Sequence, residues 1–142
     1  TFLKGDGSDA DSGDSRIDYD FAVIRAVPHV HLESLVNVGV VVHGRKSGFL
    51  AARGVEDPGG LARMVRATDV EVMARYLTTL VGVARGDESF GPMALLPHSE
   101  RFHWLTAPRS DVIQSSRARP GRSRDLAATL DALFEQYVQS DE

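Results

Sequence analysis

The stretch from Arg101 to Gln114, RFHWLTAPRSDVIQ, does most to limit how this chain can fold. It holds the single Trp, Trp104, and a Pro-Arg-Ser-Asp phrase between two short apolar runs. Alternation along RFHWLTA puts Phe102, Trp104 and Thr106 on one side and Arg101, His103 and Leu105 on the other. Read this way, the stretch is two paired strands, 101–107 and 111–116, at the middle of a small sheet. Pro108-Arg109-Ser110-Asp111 is the β-turn between them, with Pro at its second position and short polar residues after it. Trp104 is then expected to be mostly buried between sheet and helices.

Three more strands precede it. Tyr19 to Pro28 (YDFAVIRAVP) is apolar on both faces except at Asp20 and Arg25, the pattern of a central strand. Val36 to His43 (VNVGVVVH) is strongly β-branched, and Phe49 to Arg53 returns after the loop Gly44-Arg45-Lys46-Ser47-Gly48. Gly48 can supply the positive φ that this loop needs. Short loops between neighbouring strands imply antiparallel pairing.

Helices fill the rest. Asp57-Pro58 is a cap followed by a first-turn proline. Thr68 and Glu71 form a capping box for a helix with Val70, Met73, Leu77, Leu80, Val81 and Ala84 at helical spacing, ended by Gly86. Arg117 to Arg122 reads as a loop. The closing helix, capped by Ser123 or Asp125, carries Leu126, Leu130, Leu133, Phe134, Tyr137 and Val138. The expected fold is α+β: a mainly antiparallel sheet of about five strands with two amphipathic helices packed on one face.

At 142 residues the chain has room for one core. Residues 1–18 read as a flexible acidic leader and 19–142 as a single domain; GDGSDADSGDSRID lacks the apolar surface to offset its ordering entropy. Its Asp residues do not fit a calcium loop, because neither the Gly at the sixth position nor the Glu at the twelfth is in register. Net charge −4 speaks against nucleic acid as a partner. The absence of Cys excludes disulfides and thiolate chemistry. No apolar run reaches membrane-span length, so no membrane partner and a cytoplasmic setting are expected.

The candidate site begins with Arg25, Arg101 and His103, which share one sheet face in this reading. Two guanidiniums and an imidazole suit a phosphate or carboxylate. The alternative is a structural ion pair with Glu33, Asp20 or Asp111, and Arg101 is expected to be such a pair. The ligand-facing role then falls to Arg109 at the turn, with Ser110 and Asp111 beside it. Asn37 can face a ligand or satisfy nearby backbone, with Gly39 marking a bulge or close approach. Arg117, Arg119, Arg122 and Arg124 precede the last helix, where a phosphate would gain from the helix dipole; a solvated basic loop is the plainer reading. His29, His31 and Glu33 stand at period two, but His-x-His after Pro28 reads better as exposed loop histidines than as metal ligands. No metal and no cofactor are expected. There is no Walker pattern, no nucleophile elbow and no other catalytic signature.

Three phrases carry a resemblance: YDFAVIRAVPHVHLESLVNVGVVVHGRKSGFL, GPMALLPHSERFHWLTAPRSDVIQSS and DLAATLDALFEQYV. Together they resemble an uncharacterised bacterial family known as a domain of unknown function. Its motif falls here on Arg25, Asn37, Gly39, Arg101, Trp104, Pro108, Arg109 and Ser110. Where such sequences often carry Ser-Pro-x-His-x-Gly, this chain has Ser116-Arg117-Ala118-Arg119-Pro120-Gly121, without the His. The resemblance implies a gene neighbourhood that includes a HipA-like kinase. The expected function is therefore a non-enzymatic accessory or interaction domain with a protein partner, such as a HipA-like kinase. The alternative is an enzyme or nucleotide-responsive domain that binds a small anionic ligand through Arg25, Arg101, His103 and Arg109.

Overall fold

A computed structural model describes residues 15–28, 34–66, 69–107 and 112–138 of the chain. The acidic leader up to residue 14, the His29–His31–Glu33 group and the turn at 108–111 lie outside the described residues.

The first three strands form where β-branched residues and short connections place them. They are Ile17–Ala26 (β1), Val36–Gly44 (β2) and Phe49–Gly54 (β3), paired antiparallel in chain order. Gly48, at φ 80°, closes the β2–β3 turn. Between Ile24 and Arg25 the register slips, so that Gly39 faces Ile24 and Asn37 faces Arg25. Gly39 is also the point of close approach that the sequence suggested. A Cβ there would lie 2.9 Å from the Arg53 carbonyl oxygen and 3.4 Å from the Ile24 Cβ. The oxygen belongs to a paired strand and has little room to yield. Gly39→Ala is expected to cost roughly 1–3 kcal/mol, read as a lower denaturation midpoint at unchanged slope.

Helix caps follow the sequence with one shift. Asp57 caps Pro58–Met64 (α1) by accepting from the Gly60 amide at 2.8 Å. Val70–Arg85 (α2) is capped by Asp69, which accepts from the Val72 amide at 3.0 Å, one residue beyond the expected Thr68. Thr68 itself lies outside the described residues. Gly86 ends α2 in the left-handed conformation at φ 78°. Asp125 caps Leu126–Tyr137 (α4) through the Ala128 amide at 3.1 Å.

The largest correction falls on the stretch expected to be central strand. Residues 101–107 are not a strand: His98–Thr106 is a helix, α3. Pro97 takes the N-cap position, and the Arg101 amide bonds back to its carbonyl at 3.0 Å. In a window this short, period two and period 3.6 both find apolar matches. The preceding turn decides between them, because Pro97 supplies a preset φ and His98-Ser99-Glu100 continue it. Helical spacing then separates Phe102 from Trp104. Phe102 turns to the sheet and stacks on His43 at 4.6 Å between ring centroids. Trp104 is partly buried and packs against the cluster that holds α2, in line with the burial expected of it, although it stands on a helix and not on a strand.

The sheet regains its fifth strand elsewhere. Ile113–Ser115 (β4) and Arg119–Ser123 (β5) both pair antiparallel with β1, giving the order β3-β2-β1-β4 with β5 also on β1. The segment expected as an arginine loop is therefore largely strand. Pro120 is tolerated because β5 is an edge. Ser116 fills the gap between the two short strands: its amide donates to the Val23 carbonyl at 2.8 Å, and its hydroxyl accepts from the Val23 amide at 2.9 Å.

The helices lie on both faces of the sheet, not one. Ile24, Ala26, Val38 and Val41 pack with Met73, Leu77, Leu80 and Val83 of α2 and Leu105 of α3. Phe21, Val23, Val40 and Val42 pack with Leu126, Leu130 and Leu133 of α4. Since β1 and β2 are apolar on alternate residues of both faces, one helical layer would have left half of their side chains in water. Among the described residues, no helix is long and apolar enough to cross a membrane.

Candidate functional site

Helix α3 has an inner side tied to the fold and an outer side left open. On the inner side, His98 and Phe102 meet His43, the last side chain of the buried β2 run. His43 is 3 % exposed, and its Nε2 lies 2.8 Å from His98 Nδ1. Burial pushes the His43 imidazole below its ordinary value, and His98 beside it acts in the same direction. Asp20, opposite His43 on β1, pulls the other way, while Arg45 and Arg101 add to the lowering.

Arg101 is the second inner tie. Its Nη1 donates to the carbonyls of Val83 at 3.0 Å and Ala84 at 2.8 Å, and its Nε to Leu96 at 2.9 Å. The first two are last-turn carbonyls of α2, at the negative end of its dipole; Val83 also accepts from the Gly86 amide at 3.0 Å. Among the described residues the partners of Arg101 are backbone oxygens and not Asp20, which pairs with Arg45; Glu33 and Asp111 lie outside the described residues.

The outer side forms an open groove of about 490 Å³ lined by Met93, Leu96, Ser99, Glu100, His103, Trp104 and Ala107. Next to Leu96 in the chain, Leu95 is 66 % exposed. A second hollow lies on the same sheet face as His43, beyond the start of α3. Asp18, Asp20, Arg45, Lys46 and Arg122 line it, with Tyr19, Pro120 and Gly121. Arg122 pairs with Asp18 at 3.1 Å and Arg45 with Asp20 at 3.6 Å. Among the described residues, Lys46 has no carboxylate partner.

Among the described residues, the predicted site residues do not come together. Arg25 stands opposite Asn37 and Gln114, on the α4 face of the sheet, because Ile24 and Ala26 on either side of it face α2. Arg101 lies with α2 on the other face. His103 is exposed in the groove. Asn37 donates from Nδ2 to the Tyr137 carbonyl at 2.9 Å, so it satisfies the end of α4. Arg109, Ser110 and Asp111 lie outside the described residues, as do His29, His31 and Glu33. Among the described residues no cluster of three His, Cys, Asp or Glu side chains is placed to hold a metal. The arginines before α4 diverge as well. Arg119 lies over the rings of Phe21 and Tyr137 at 5.4 and 5.5 Å, Arg122 turns to Asp18, and the helix start is already occupied by Asp125.

Sequence reasoning missed His43 and His98. The signal was available for one of them: a histidine closing the β-branched run VNVGVVVH, where every neighbour is built for burial. Nothing in the spacing linked it to a histidine 55 positions on.

No curated protein and no solved structure matches the chain. Residues 21–138 match a family model described as a protein of unknown function, DUF3037. That span contains β2 to α4 and most of β1, and so both sides of α3. The chain belongs to the DUF3037 family of proteins of unknown function.

Proposed function

We propose that this domain is a non-enzymatic accessory module that docks a protein partner, a kinase-like protein, on the outer side of α3. The observation that carries this reading is the groove beside Trp104. It is lined by the partly buried indole, Met93 and Leu96, with Ser99, Glu100 and His103 as polar rim. Large apolar side chains grouped at a surface cost solvation unless something covers them, and an indole with an open face is a common anchor for a partner. Glu100 favours a partner segment with an apolar anchor flanked by a basic residue.

A second reading has its own observation. In the hollow at β5, three cations meet two carboxylates, and Lys46 is unpaired among the described residues, which suits a small phosphate or carboxylate ligand. It uses other residues than the set Arg25, Arg101, His103 and Arg109, whose described members lie apart.

Co-expression with the kinase-like protein separates the two. The docking reading expects the chains to co-elute in size exclusion at ordinary salt. Recovery of the domain alone, together with a phosphate-dependent rise in its melting temperature, would favour the anion reading instead.

A further inference from the structure

We propose that the His43–His98 pair is a proton-sensitive latch: it seats the start of α3 on the sheet at neutral pH and releases it in acid. This stands on the geometry of the pair and does not depend on the docking of a partner.

Two nitrogens 2.8 Å apart share one proton. In the neutral pair one ring donates and the other accepts. One added proton still leaves one donor and one acceptor between the two rings. A second proton leaves two N–H groups facing each other, and the bond is lost. Both rings are then charged, and one of them is His43, which is 3 % exposed and stacked on Phe102. Among the described residues, the groups facing it are few. From β1 comes Asp20, from the β2–β3 turn Arg45, from α3 His98 and Arg101, and from β3 the apolar Leu50 opposite it in register. One carboxylate therefore stands against two guanidiniums and a second imidazole, in a place where an uncompensated charge is costly.

The sign follows from burial. His43 takes a proton less readily when seated than when released, so seating is fully favoured above the ordinary imidazole value of about 6.5. It weakens as pH falls below that value towards the lowered value of the seated ring. Release at His43 would also unstack Phe102, one turn on from His98, and loosen the turn that carries Arg101. The latch therefore sits beneath the same helix whose outer side forms the groove.

Amide hydrogen exchange of α3 in the full chain tests the latch, with rates corrected for intrinsic chemistry. Between pH 7.5 and pH 5, protection of α3 should fall about tenfold in the wild type, while α4 on the other face should change little. His43→Gln keeps an amide donor facing His98 but has nothing to titrate, so α3 protection should become nearly flat with pH. His43→Asn, which also has nothing to titrate, should flatten it too and serves if His43→Gln does not fold. Equal α3 protection at both pH values in the wild type would overturn the latch. So would an acid-induced loss that persists in a folded variant, or a His43 ring that titrates by NMR at or above 6.5.

Discussion

Leu130→Ala is expected to destabilise the domain by about 2–5 kcal/mol. Leu130 is buried on α4 and belongs to the cluster of Phe21, Val23, Val40 and Val42. Truncation removes its transfer free energy and leaves a cavity that paired strands cannot close. The same residue tests whether the domain has two layers of helix. Ile24, the neighbour of Val23 on β1, points to the α2 cluster on the opposite face. Ile24→Val should cost about 0.5–1.5 kcal/mol. With the sheet between them, the two losses should add to within about 0.5 kcal/mol in denaturant melts. A strong coupling between them would mean that α2 and α4 share one core, as the sequence first suggested.

Arg101→Met is expected to lower stability by roughly 2–4 kcal/mol, the sum of charge-assisted bonds to carbonyls and the loss of a cation at the end of α2. The methionine keeps much of the aliphatic stem, so the effect reports the guanidinium. Part of the cost is the Ala84 carbonyl left without its 2.8 Å donor. Arg101→Lys should recover part of the loss, since a single ammonium cannot reproduce a fork that reaches Val83, Ala84 and Leu96 together. Thermal melts of both variants check this. A methionine variant that melts at or above wild type would remove the structural role and return Arg101 to the ligand-binding candidates.

These residues also show where the sequence was legible. The β1–β3 meander could be read because its loops are short and its runs β-branched. The α4 stripe could be read because six apolar positions repeat at helical spacing, and all six lie in one cluster. Two-sided helix packing was also written in β1 and β2, whose apolar residues fall on both faces. By contrast, α3 was misread because the short stretch 101–107 satisfies two periods at once, and the deciding Pro97 lies outside that window. Strand β5 was hidden because Arg-Pro-Gly-Arg has the composition of a breaker, acceptable in a strand only at an edge. The partners of Arg101 could not be read at all, because backbone carbonyls have no identity in a sequence. His43 and His98 meet only through the placement of α3 on β2, which the strand reading precluded.

The central claim is that α3 serves the fold with one side and a partner with the other. The most direct measurement is the His103→Lys variant co-expressed with the kinase-like protein. His103 is exposed, so its melting temperature should stay near wild type, within about 0.5 kcal/mol in stability. An ammonium beside Glu100 offsets the rim carboxylate and repels the basic residue that the groove favours in its partner. The account predicts that the wild-type chain co-elutes with its partner and that the folded variant elutes alone. Co-elution of the variant as complete as that of wild type would contradict it, as would a wild-type chain that elutes alone.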